Sequence, residues 1–343
     1  TVIFVGELPK DVPGLGRLEE RRRGFAAELG RLHWPEEPGR EPKAAAIGTG
    51  HVVVLPDVAG VVEHASVRVE PLATRGLGVL RRKTSEGHLY FLANLGAEPF
   101  DGWAPLAVAL QSAVLFDATT GTSGVTAVRP TATGHEVRLQ LDPGESIFVR
   151  TFASRRAEGK PWAFTMSAGE AVSVEGRWTV TAIDGGPELP PAFTVERLGS
   201  WTDQRGAWER FAGTARYEIA FELPVSPAAT DWLLDLGDVR EVAQVRVNGT
   251  AIDTIWSLPF RGRIGRAVKP GTNTLTIDVT NEAANRIRDL EKRGVAWKNF
   301  HEINFVNVHY KPFDAADWPL QPSGLLGPVR LVPLKLEAPA SPP

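Results

Sequence analysis

The sequence predicts a mainly β protein: two β-sandwich domains, the C-terminal one a jelly roll, preceded by a partial α/β segment. Three observations predict this class. After about residue 76, apolar and polar residues alternate at period two, the mark of strands with one buried face. Glycine (34) and proline (27) both exceed ordinary use, which favours turns and short strands over long helices. Helical spacing beside compact apolar runs is confined to the start of the chain. At 343 residues the chain has room for two or three domains.

Residues 1–75 read as an α/β piece. The runs TVIFVG (1–6) and HVVVLP (51–56) are compact and apolar, as buried strands are. Between them Leu15, Leu18, Phe25, Leu29 and Leu32 recur at helical spacing, which predicts a helix over 15–32. PEEPGREPK (35–43) is a loop by composition, and DVAGVVEHA (57–65) a short helix. One strand–helix–strand unit cannot cover both faces of a parallel sheet. The segment is therefore expected to be the tail of a larger upstream domain, since the chain opens on an apolar strand without Met or a basic leader.

Residues 76–155 predict a small antiparallel β domain. LGVLRRK and HLYFLANLG flank TSEG as a hairpin. Val137, Leu139 and Leu141 alternate with Glu136, Arg138 and Gln140. ASRRAEGKP (153–161) reads as a linker. Residues 162–336 then predict the jelly roll, with 337–343 as a disordered tail. Here AVSVEG and RWTVTAI are expected to pair across Gly176. Tyr217, Ile219, Phe221 and Leu223 share one face, as do Leu275, Ile277 and Val279. In VRVNGTAI, Asn248-Gly249 predicts a type I′ turn, because both residues tolerate positive φ. Trp201, Trp208 and Trp232 are expected in the core or between domains.

Composition narrows function. Net charge is −3 with scattered Lys and Arg, so no nucleic-acid footprint is visible. No stretch approaches the roughly 20 apolar residues that span a bilayer. Cysteine is absent, which removes disulfides, thiolate metal sites and a Cys nucleophile. GLGRLEERRRG lacks the third glycine of a dinucleotide fingerprint, and no HExxH or GxSxG occurs.

Several stretches resemble a known family. GSWTDQRGAWERFAGTARYEIAFELP, LLDLGDVREVAQVRVNGTAIDTIWSLPFRGRI, VKPGTNTLTIDVTNEAANRI and PSGLLGPVRL resemble the galactose-binding-like sandwich of glycoside hydrolases, of the family 2 sugar-binding type. GVLRRKTSEGHLYFLANLGAEPFDGW, AVLFDATTGTSGVTAV and VIFVGELPKDVPGLGRLEERR resemble glycoside hydrolase family 106, the α-L-rhamnosidases. The resemblance implies an N-terminal (β/α)8 barrel that carries the catalytic carboxylates. This chain has no room for one, since such a barrel needs about 200 residues or more. No catalytic residue of the family maps onto a position here. The resemblance further implies oligo- or polysaccharide as partner, an upstream catalytic domain in the same polypeptide, and export to the periplasm or outside the cell.

The candidate carbohydrate-binding residues fall in two places. Trp256 could stack on a sugar ring while Arg261 holds hydroxyls or a carboxylate. Alternatively Trp256 fills the sandwich mouth and Arg261 pairs with the DLGD stretch. FHEINFVNVHYKPFDAADWPLQPSG (300–324) gathers His301, Glu302, His309, Tyr310, Asp314, Asp317 and Trp318. Sugar sites combine aromatic platforms with a few oriented polar groups, but the same loop could simply cap the sandwich. Asn281 and Asn285 are candidate oxygen ligands for a calcium ion, against a helix-capping role for Thr280 or Asn281. Three functional classes stay open: an accessory module of a glycosidase, a stand-alone non-catalytic carbohydrate-binding protein, and a hydrolase with carboxylates in the sandwich itself.

Overall fold

The computed structural model describes residues 1–34, 43–65, 69–132, 134–299, 308–311 and 313–337. Strand makes up 44% and helix 12%, so the fold is mainly β. Two compact units are present: residues 1–71 with 105–109 and 131–135, and the remainder. No helix among the described residues is long and apolar enough to cross a membrane.

In the first unit, β1 (Val2–Val5) runs parallel to β3 (Gly50–Leu55), and β2 (Lys43–Ile47) pairs antiparallel on the other side of β3. Val53 and Leu55 are buried on one face of β3 and Val52 on the other. β2 is a strand that sequence reading places in no element; KAAAI has little β-propensity, and pairing with β3 determines it. Helix α1 spans Leu18–Gly30, shorter than the expected 15–32. Its start is delayed because Gly14 and Arg17 adopt left-handed φ values of 80° and 48°, which leaves Leu15 87% exposed. Helix α2 (Val61–His64) is a single turn.

The second unit begins with the small sandwich. Its larger sheet runs β4 (Leu77–Lys83), β5 (Gly87–Asn94), β11 (Ser146–Phe152), β7 (Ser112–Phe116), β8 (Ser123–Thr126). The other joins β6 (Phe100–Leu106), β10 (Gly134–Leu141) and β9 (Val128–Thr131). Tyr90, Leu92, Leu115 and Val149 from the first sheet and Val137, Leu139 and Leu141 from the second are buried. The expected TSEG hairpin forms, with Lys83 opposite His88.

The C-terminal sandwich has a sheet in the order β15 (Phe193–Val195), β14 (Trp178–Gly186), β16 (Ala212–Leu223), β22 (Gly271–Thr280), β19 (Val242–Val247), β20 (Thr250–Ile255). The facing sheet runs β12 (Thr165–Ser167), β24 (Arg330–Leu336), β17 (Asp231–Asp235), β21 (Arg261–Arg263), with β13 (Val172–Ser173) also on β24. β18 (Asp238–Arg240) and β23 (Gly324–Gly327) form a separate pair. One core cluster draws on both large sheets: Tyr217, Ile219, Ile277 and Val279 from one, Trp232, Leu234 and Leu331 from the other. Trp201, Trp208 and Phe211 interlock edge-on or tilted at about 5.5 Å between centroids in that core.

The expected pairing of AVSVEG with RWTVTAI does not form. β13 pairs with β24 and β14 with β15 and β16, so the chain changes sheets at Gly176 instead of turning back. The Asn248-Gly249 turn does form, with φ of 51° and 77°. Gly324 (φ 101°) has its own reason: a Cβ there would strike the Tyr217 hydroxyl and the Trp201 ring. The Tyr217 hydroxyl accepts the Leu325 N–H at 3.2 Å, and burial raises its phenol above the ordinary tyrosine range.

Two ionic links bind the small sandwich to the C-terminal one. Arg138 pairs with Asp101 and, at 2.9 and 3.1 Å, with both carboxylate oxygens of Glu337. Glu337 is thus anchored, and its N–H also reaches the Phe164 carbonyl at 2.9 Å. Residues 338–343 of the expected tail lie outside the described residues. The second link is Arg261.

Candidate functional site

Arg261 starts β21, beside β17. That register brings its Nε within 2.9 Å of the Asp235 carboxylate. Its Nη1 reaches Asp142 in the DPGES turn of the small sandwich. Asp235 is the first residue of the DLGD stretch, so the contacts made are those of the structural alternative. Behind Asp142, the Glu145 carboxylate accepts the Asp142 N–H at 2.8 Å. Burial pushes the Glu145 carboxyl above its ordinary range; the Asp142 charge adds to this and the Arg261 charge opposes it. Trp256 follows β20 and stands 64% exposed beside exposed Leu258. Its ring is therefore open to a ligand or a partner surface.

The 300–318 stretch divides. His301 and Glu302 lie outside the described residues. His309 and Tyr310 are exposed, Tyr310 at 79% with a left-handed φ of 56°. Asp314 and Asp317 also face outward, and Asp314 accepts the Ala316 N–H at 2.9 Å. Trp318 is half-buried, edge-on to Phe313 at 5.3 Å, and Phe313 is edge-on to Trp297 at 6.0 Å. Lys298 ties this group down, donating to the Phe313 carbonyl at 2.8 Å and pairing with Glu291 at 2.7 Å. Among the described residues of the loop, Phe313 and Trp318 are therefore engaged in packing. Glycoside hydrolysis needs two carboxyl groups flanking one bond; Asp314 and Asp317 are both exposed, and Glu302 lies outside the described residues.

Helix α3 (Ala284–Lys292) organises this end. Arg288 Nε donates to the Trp318 carbonyl at 2.7 Å. Arg288, Asp289 and Lys292, with Gly206, Glu209, Arg210 and Leu320, line a cleft of about 340 Å³. Sequence reading misses this cleft. The one available signal is the i, i+4 spacing of Arg288 and Lys292, which puts both on one helix face.

Asn281 and Asn285 do not fit a calcium ion. The Asn281 side-chain oxygen accepts the Gly213 N–H at 2.9 Å, and that of Asn285 accepts the Gln321 N–H at 2.8 Å. Their amide nitrogens donate to the Phe211 and Gln321 carbonyls and to the Ser323 hydroxyl. Both side chains clamp backbone, leaving no oxygen directed at a cation. Among the described residues no group of three His, Asp or Glu is placed to hold a metal ion. Neither alternative caps α3, whose N-cap residue is Ala283.

No family model matches the chain. A curated protein of Formosa agariphila, provisionally a β-glucuronidase, is 28% identical over 224 residues, 56% of this chain and 19% of that protein. The solved structure of a rhamnosidase from Novosphingobium sp. PP1Y superposes with a TM-score of 0.61 and 26% identity. That match covers 97% of this chain and 31% of the rhamnosidase. The chain has a glycoside-hydrolase-like fold. It spans about a fifth of the length of the curated relative and about a third of the rhamnosidase.

Proposed function

We propose that this chain is the C-terminal accessory β region of a carbohydrate-degrading glycosidase of the α-L-rhamnosidase type. The observation that carries this reading is the likeness to the Novosphingobium rhamnosidase across 97% of the chain. In this reading the C-terminal sandwich is the galactose-binding-like, family 2 sugar-binding module that its sequence resembles. An upstream (β/α)8 barrel supplies the general acid and the activated water. Residues 1–75, 76–155 and 162–336 provide its scaffold, and Trp256 with the 300–318 loop forms a rim facing an oligo- or polysaccharide. Such a substrate places the enzyme in the periplasm or outside the cell.

The fold supports a scaffold role in a specific way. The two sandwiches are joined by Arg138 and Arg261, each bridging carboxylates. That cross-bracing fixes one sandwich on the other, as a platform requires. The exposed Trp256 ring favours a second reading, a stand-alone carbohydrate-binding protein. Hydrolysis of an aryl α-L-rhamnoside separates the two. The 343-residue chain is compared with a polypeptide extended upstream through the barrel. Turnover by the extended form alone is expected. Turnover by the 343-residue chain, or by neither, overturns the accessory reading.

A further inference from the structure

We propose that the cleft between the 3-10 turn Gly206–Glu209 and helix α3 binds an acidic sugar through its carboxylate. This rests on the carbohydrate reading above and adds a site that reading does not contain. Arg210 pairs with Glu188. Asp289 is held by Arg293, just past the end of α3, at 2.7 Å and by Arg286 of the same helix at 3.5 Å. Arg288, Lys292 and Glu209 remain, and among the described residues none of the three forms an ion pair.

Arg288 is oriented for a ligand. Its Nε bond to the Trp318 carbonyl, at 2.7 Å, fixes the plane of the guanidinium. Among the described residues its two Nη atoms have no acceptor. That leaves a preoriented pair of donors, the geometry that matches the two oxygens of a carboxylate. Lys292, one turn further on the same face, adds a second positive charge beside it.

The remaining lining argues for a sugar acid over a bare anion. Glu209 repels an inorganic anion but accepts hydrogen bonds from hydroxyl groups. Leu320 offers a small apolar surface for the face of a ring. At about 340 Å³ the cleft lies in the range of small-molecule sites and has room for one monosaccharide. A hexuronate carries all three matching features: a carboxylate, vicinal hydroxyls and an apolar ring face.

The test is a chemical-shift titration of the isotope-labelled 343-residue chain with D-glucuronate, D-glucose and inorganic sulfate. Glucuronate is expected to bind with a Kd on the order of millimolar, shifting signals of α3 and of Gly206–Glu209. Arg288→Gln should weaken it about tenfold. Lys292→Gln, at an exposed position that the fold does not use, should weaken it about threefold. Glu209→Gln should strengthen sulfate more than glucuronate, because both lose a repulsive charge but only the sugar also loses a charged acceptor for its hydroxyl groups. Arg261→Gln should change nothing. No shift at about 50 mM glucuronate, equal binding of glucose, or sulfate binding as tightly with the same residues shifted would each overturn the proposal. No hydrolysis is read here, so a failure leaves the rhamnoside comparison standing, and the reverse also holds.

Discussion

Two arginines at different places in the C-terminal sandwich behave differently. Arg261 uses Nε on Asp235 and Nη1 on Asp142, and so is engaged in joining two sandwiches. Among the described residues Arg288 uses only Nε, on a neutral carbonyl, and its side chain lines a cleft. Residue type alone does not distinguish them. What separates them is how many donors the fold has already taken. A preoriented arginine that faces no carboxylate can recognise a ligand, whereas one already shared by two carboxylates holds structure.

The fully engaged extreme is Asp278, and it sets the scale. Its side chain is 6% exposed and receives Arg216 at 2.7 and 2.9 Å and Arg246 at 2.7 Å. Burial alone would raise its carboxyl, but the two guanidinium groups outweigh this and hold it below the ordinary aspartate range. Asp278→Asn should cost about 2 kcal/mol in urea unfolding, less than a fully buried pair because both arginines can reach water. Since its folded value is lowered, this contribution is present at neutral pH and lost as pH falls below about 3.8.

Arg261→Ala should come next, at about 1 kcal/mol, with faster proteolytic cleavage between the sandwiches. Arg288→Gln should cost less, because one bond to a neutral carbonyl is lost. Equal losses for the two would break the comparison.

Glu145 sharpens it through pH. Its folded value is raised, so its contribution favours the fold in acid and is lost as pH rises from about 4.5 through the folded value. Arg261 opposes that rise in value. Removing Arg261 should therefore steepen the fall in unfolding midpoint with pH, and Glu145→Gln should flatten it. Trp256→Ala should have the smallest effect on stability, within about 0.5 kcal/mol, because the ring is exposed. Reduced retention on immobilised polysaccharide would assign it to ligand contact.

Period-two elements were legible in the sequence. Alternation identified the inward face of β16, and Asn248-Gly249 the turn between β19 and β20, because both signals are local. Partners distant in sequence were not legible. β13 pairs with β24 more than 150 residues on, and nothing in AVSVEG announces this. Asp142, which engages Arg261, comes from the other sandwich 119 positions away. The cleft needs Arg210 and Arg288 together, and only folding brings them close. The asparagines offered to calcium were read correctly as oxygen-bearing, but backbone groups from elsewhere in the fold had already taken those oxygens.

In the proposed function this region frames a sugar site without supplying its proton-transfer groups. The most direct measurement is kcat on an aryl α-L-rhamnoside for the upstream-extended polypeptide carrying Glu302→Gln, Asp314→Asn or Asp317→Asn. Each variant is expected to keep kcat within about threefold of the parent. A loss of about a thousandfold in any one of them would place a catalytic carboxylate in this chain and contradict the account.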